Sequence, residues 1–187
     1  MKTVKSLNRK LIAALIGGVS LFSLAGSAQA TAILPNTWYE FGFGDVGSAL
    51  SSGASFIPFT IPGGVIQVGD PTWDITLSSG GTLFVTDAFN SGDQFNIFDN
   101  AASIGLTSLP ATGSSCGTDL LCAIADTKFS SASYALSAGF HSISGTTVLS
   151  PFGGGAAAFI VRVPEPATLA LFGFGLAGLA ASRRRKV

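Results

Sequence analysis

The sequence predicts an all-β fold, an antiparallel β-sandwich or jelly roll over residues 31–163, flanked by an N-terminal signal peptide and a single C-terminal transmembrane helix. Three observations lead there. Short alternating or β-rich runs recur between clusters of Gly, Pro, Asn and Ser, and no stretch of the middle sustains a helical period. Apolar runs without charge occupy both ends, each with a basic flank. Eight of the ten Lys and Arg residues lie in those two ends, so the central segment keeps nine carboxylates against Lys128 and Arg162 and carries −7.

The first element is the leader. Lys2, Lys5, Arg9 and Lys10 form a basic region, 11–24 is uncharged, and Ala28-Gln29-Ala30 places small residues where a signal peptidase reads them. Cleavage after Ala30, with Ala28 and Ala30 in the recognition positions, would start the mature chain at Thr31.

Within 31–163 the runs 37–43, 55–61, 72–77, 82–89, 94–99, 103–108, 140–144 and 156–163 read as strands. The run 129–136 is open between strand and one short helix. Ser79-Gly80-Gly81 signals a hairpin between 72–77 and 82–89, and Asn90-Ser91-Gly92-Asp93 signals the next, pairing 82–89 with 94–99. Trp38, Phe41, Phe43, Phe56, Phe59, Trp73, Ile75, Leu77, Phe84, Phe95, Ile97, Phe140 and Phe159 are the expected core. With fifteen Phe and two Tyr, these rings read as packing before they read as a sugar platform.

The two cysteines, Cys116 and Cys122, lie close together in an exported segment and predict a disulfide that pins a local excursion. Such an acidic domain is no partner for nucleic acid. Around Asp87, Asn90, Asp93, Asn96 and Asp99 two readings stand. The favoured one is turn chemistry, in which Asp and Asn bond their own backbone. The other is a calcium site at Asp87, Asp93 and Asp99, because calcium takes several hard oxygens; no other cofactor is expected. Gly113-Ser114-Ser115-Cys116-Gly117 fits a nucleophile elbow, with Asp126 and His141 following in hydrolase order, but the strand-elbow-helix context is missing. No enzyme is expected on that account.

The tail begins with Pro164-Glu165-Pro166, whose prolines bar a helix before about Ala167. A helix of about 167–182 follows. Its apolar stretch 167–181 spans roughly 23 Å at about 1.5 Å per residue, a marginal crossing that Arg183, Arg184, Arg185 and Lys186 complete by snorkelling and by fixing a cytoplasmic end. Gly173, Gly175 and Gly178 satisfy a dinucleotide fingerprint but lack its strand and acid; they thin a helix face instead.

Motif, apolar stretch and arginine cluster together resemble the PEP-CTERM sorting signal, found on exported proteins of Gram-negative bacteria that make extracellular polysaccharide. The resemblance covers 164–187 and implies that a membrane-embedded exosortase recognises Pro164, Glu165 and Pro166 and removes the helix. It also implies transient anchoring in the inner membrane, then delivery to the cell surface or exopolymer matrix. The run 85–100 is similar to a segment of other exported PEP-CTERM proteins. On this reading the domain is a structural, adhesive or weakly polysaccharide-binding surface or matrix protein. The alternatives are a secreted hydrolase of exopolymer or peptide, and an ice-binding protein, because such tails are also described as an ice-binding protein C-terminal domain. Scattered threonines without a repeat argue against the last.

Overall fold

A computed structural model describes residues 30–53 and 67–164. The expected strand 55–61, with Phe56 and Phe59, the leader and the tail from Glu165 onward lie outside the described residues.

In chain order the strands are β1 (Thr31–Ala32), β2 (Trp38–Phe43), β3 (Ser51–Ser52), β4 (Gln67–Val68), β5 (Trp73–Leu77), β6 (Gly81–Thr86), β7 (Phe89–Asn90), β8 (Gln94–Asp99), β9 (Ala102–Leu106) and β10 (Ser115–Gly117). Helix α1 (Leu120–Ala125) precedes β11 (Ser131–Leu136), β12 (Gly139–Leu149) and β13 (Gly155–Arg162). One sheet runs β1-β5-β12-β8-β9 and the other β11-β6-β13-β2-β3, with β4 beside β2. The long strands pair antiparallel, whereas short β1 and β4 pair parallel.

The two sheets face each other across one apolar core. Alternation aims Tyr39, Phe41 and Phe43 of β2 and Phe159 and Val161 of β13 at Trp73, Ile75 and Leu77 of β5 and at Phe95 and Ile97 of β8. Rings from opposite sheets interlock: Phe41 meets Phe95 edge-on at 5.2 Å, and Trp73 meets Phe159 at 5.0 Å. The open run 129–136 resolves as strand β11.

Both expected hairpins are corrected. β5 belongs to one sheet and β6 to the other, so Ser79-Gly80 carries the chain across the sandwich; β6 spends its backbone bonds on β11 and β13. The Asn90–Asp93 turn likewise takes the chain from β6 to β8 in the opposite sheet, and the two do not pair. A turn signal reports that the chain reverses; the ladder partner is chosen by strands far along the chain.

Phe140 is also corrected, being 55% exposed. The inward positions of β12 are His141, Ile143, Gly145 and Thr147, so the even residues face out, and a phase error of one residue exchanges the faces. Trp38 and Phe84 stand half-buried on the outer face of their sheet, where the Arg162 guanidinium covers them at 5.9 and 5.2 Å.

Cys116 and Cys122 are joined, with Cα atoms 5.6 Å apart, and tie β10 to α1. Asp119 caps that helix by accepting from the Cys122 amide at 3.1 Å. The pinned excursion is also a cover. Leu120 and Ala123 are buried, and Leu120 packs with Ala88, Ala156 and Ala158 on the outer side of β13.

Candidate functional site

The edge where β6 ends and β8 begins gathers the unusual chemistry of the molecule. Phe89 sits at φ 60°, a backbone conformation a bulky residue rarely adopts. The pairing of β7 with β10 and a bond from the Ser91 amide to the Ser114 carbonyl hold the segment there. Gly92, at φ 143°, completes the crossing, and a Cβ there would meet Pro151 at 2.7 Å.

Asp87 is fully buried. Its Oδ1 accepts from the Ala88 amide at 2.7 Å and its Oδ2 from the Asp93 amide at 3.3 Å. This is the expected turn chemistry, performed inside the protein. Burial first, and the charge of Asp93 second, push the Asp87 carboxyl up to about 8 against the pull of the Ala88, Asp93 and Gly92 amides. Asp93 is only 4% exposed, and burial pushes it up to about 6, opposed by the neighbouring Ser150 hydroxyl. At neutral pH the pair therefore holds about one proton and one negative charge, mainly on Asp93. Neither Asp93 Oδ1 nor Ser150 Oγ reaches hydrogen-bond geometry with any described group. A buried acceptor left unmade costs about 1–3 kcal/mol.

Asp93 lines a cleft of about 380 Å³ together with Phe43, Phe89, Asn90, Phe152 and Gly155. Phe152, 58% exposed, stands at the rim. Glycine keeps the cleft floor low: at Gly154, φ 130°, a Cβ would lie 2.7 Å from the Phe43 carbonyl oxygen, and at Gly155 it would lie 3.0 Å from the Phe43 ring. An aromatic wall, one buried carboxylate and an exposed amide make a small-ligand cleft at the low end of the usual size range, about 300 Å³ and upward.

Of the expected calcium set, Asp87 and Asp93 meet and Asp99 does not. The extended run of β8 separates Asp93 from Asp99 by roughly 20 Å at about 3.3 Å per residue, and among the described residues no three His, Cys, Asp or Glu side chains gather as a metal site. Asp99 instead binds His141, Oδ2 to Nδ1 at 2.7 Å, while Nε2 faces the Ser137 carbonyl at 2.9 Å. A carbonyl only accepts, so Nε2 carries a proton, and the Nδ1–carboxylate contact is made best by a proton on Nδ1 too. Burial opposes that charge, yet the Asp99 hydrogen bond, the Ser137 carbonyl and the Asp99 charge outweigh it and raise the His141 pKa.

The hydrolase order is not assembled. Ser115 lies on β10 opposite Asn90, Asp126 accepts from the Lys128 amide at 2.9 Å, and both nitrogens of His141 are engaged elsewhere. The cleft itself was missed from sequence. Its only local signal was the Asp87–Asp93 spacing, since Phe43 reaches it from β2, Phe152 from the turn after β12 and Gly155 from the start of β13.

The last strand leads directly to the tail. Arg162 ends β13, the Val163 amide donates to Asn36 Oδ1 at 3.0 Å, and Pro164 is exposed. Among the described residues no helix is long and apolar enough to cross a membrane, and the expected span 167–182 lies outside them. The arrangement is that of an exported β-domain with a sorting tail fused to its final strand. Residues 162–186 match the family described as the PEP-CTERM protein-sorting motif, so the chain carries that motif and is an exosortase-sorted exported protein of the cell surface or membrane. No curated protein and no solved structure matches this chain.

Proposed function

We propose that this chain delivers a non-enzymatic, acidic β-sandwich to the surface or exopolymer matrix of a Gram-negative cell, where it serves as a structural or adhesive protein with weak affinity for polysaccharide. Signal peptidase cuts after Ala30 and exosortase near Pro164, Glu165 and Pro166, the span being held in the inner membrane between those events. The observation that carries the reading is the junction: the matched motif starts at Arg162, the last residue of β13, and Val163 is still tied to Asn36. A cut beyond Pro164 therefore leaves every described strand of the sandwich in place. The cleft at Asp93 is the place where a small sugar would make contact.

Intact mass after fractionation of the native host tests this. A chain running from Thr31 to 164–166, recovered outside the inner membrane, is expected. A mass retaining 167–187, confined to the inner membrane, would overturn the processing step and make the tail a permanent anchor.

A further inference from the structure

Resting on the processing reading above, we propose that Asn36 is a positioning residue for sorting. It clamps the chain at Val163, so that the folded domain withholds what precedes Pro164 from the processing enzyme and confines the cut to Pro164 and beyond. The clamp stands on a built frame. Residues 31–36 form a strap from one sheet to the other. The Thr31 amide donates to the Thr72 carbonyl at 2.8 Å and the Ile33 amide to the Asp74 carbonyl at 2.9 Å. Ile33 is buried in the core, and the Leu34 amide donates to the Tyr39 hydroxyl at 2.9 Å. The strap ends on Asn36 at φ 56°, a left-handed conformation that asparagine adopts more readily than most residues. From there Asn36 grips the end of β13 twice. Its amide donates to the Val161 carbonyl at 2.7 Å, and its Oδ1 accepts from the Val163 amide at 3.0 Å.

Each residue just ahead of the motif is held by a different contact. Val161 is fully buried, the Arg162 guanidinium lies over the Trp38 and Phe84 rings, and Val163 packs against the core. On the opposite edge Arg162 pairs with Thr82, and Gly81 lets the strand seat closely. A Cβ at Gly81 would lie 3.0 Å from the Arg162 carbonyl oxygen and 3.4 Å from the Val163 side chain. An extended peptide is recognised through main-chain hydrogen bonds along a free edge, and over 161–163 both edges are taken. Pro164 is exposed and has no amide hydrogen with which to continue the ladder. The held chain therefore ends where Pro164-Glu165-Pro166 begins.

Tryptic cleavage of the Arg162–Val163 bond, followed by mass spectrometry on the full chain in detergent, reads the clamp without the processing enzyme. Cleavage of a held segment tracks the population of its open form, so loss of one hydrogen bond should raise the rate roughly three- to tenfold. Asn36→Gly keeps the left-handed backbone but removes the acceptor, and should show that rise. Asn36→Asp keeps an acceptor in the same place and should restore the wild-type rate. An Asn36→Gly rate equal to wild type would overturn the clamp. An equal rise in cleavage after Lys128 would overturn it too, by showing general loosening of the sandwich. In the native host the released wild-type chain should end at or beyond Pro164, Asn36→Gly should add ends at 161–163, and Asn36→Asp should remove them. Asn36→Gly ends identical to wild type, with the tryptic rise present, would overturn the confinement of the cut. Wild-type chain retained uncut in the inner membrane would overturn the processing reading and the sorting role with it, and the tryptic rise would then mark a structural clamp alone.

Discussion

The Asp87–Asp93 pair makes the stability of this domain fall as pH rises, and Asp87→Asn should remove most of the fall. In the folded chain Asp87 titrates at about 8 and Asp93 at about 6, against an ordinary value of 3.8 for both. A carboxyl whose folded pKa is raised keeps a proton that the unfolded chain has lost. Its contribution is therefore complete below the unfolded value and disappears as pH rises through the folded one. Each retained proton gives a slope of about 1.4 kcal/mol per pH unit. Between pH 5 and 7 Asp87 accounts for about 3 kcal/mol and Asp93, largely titrated by pH 7, for about 1 kcal/mol.

Asparagine keeps the shape but offers one acceptor where Asp87 offers two, to the amides of Ala88 and Asp93. The variant should lose about 1–2 kcal/mol at pH 5 from the unmade bond. It should also shed the steep part of the pH dependence, so the two stability curves cross and the variant is the more stable protein at pH 8. Urea unfolding at pH 5, 6, 7 and 8 reads this directly, given constant m-values. Parallel curves with no crossing would refute the reasoning, because they would mean that Asp87 titrates alike in the folded and unfolded chain.

Three further outcomes follow from the packing. Asp99→Asn strands the His141 imidazolium, and should cost about 3 kcal/mol near pH 5.5 by chemical denaturation. Because the folded His141 pKa is raised, that cost should shrink as pH climbs through it; a loss independent of pH would contradict an ion pair. Replacing both cysteines by serine opens a short loop, with a sequence separation of 6, and should cost about 2 kcal/mol. Amide exchange should then rise in α1 and β10 first and leave β12 and β13 protected. Phe159→Ala removes a ring stacked on Tyr39 at 5.5 Å and tilted against Trp73 at 5.0 Å, and should cost about 3–5 kcal/mol in thermal or urea melts.

What could be read from the sequence was what is local. β2, β5, β8 and β13 fall within a residue or two of the expected runs, because alternation and turn residues act over a few positions. β12 was read as 140–144 and runs to Leu149, since Gly145 breaks the pattern in sequence. In the structure a Cβ there would strike Leu50 at 2.6 Å and the Asn96 carbonyl at 2.9 Å, so the glycine marks a close approach inside the strand. Pairing was not legible. β5 finds β12 some sixty residues later, and no turn residue encodes that choice.

The same division separates the tail from the cleft. The sorting motif lies within the continuous run 162–186, so a one-dimensional reading suffices to find it. The cleft depends on three stretches brought together by the sheets: Phe43 from β2, Phe89 to Asp93 from the crossing, and Phe152 to Gly155 from the corner before β13. Asp87 and Asp93 are neighbours in sequence. Their burial comes from elsewhere, with the Asp87 amide tied to the Ser130 carbonyl and the excursion bonded to Ser91 through Ser114. Spacing alone put Asp87, Asp93 and Asp99 around one turn, a pattern that suits calcium as well as capping. Burial withdraws water from Asp87 and Asp93 and raises both carboxyls above the ordinary range. The sorting motif at 162–186 and the cleft residues do not overlap, so substitutions at the cleft should leave export and processing unchanged.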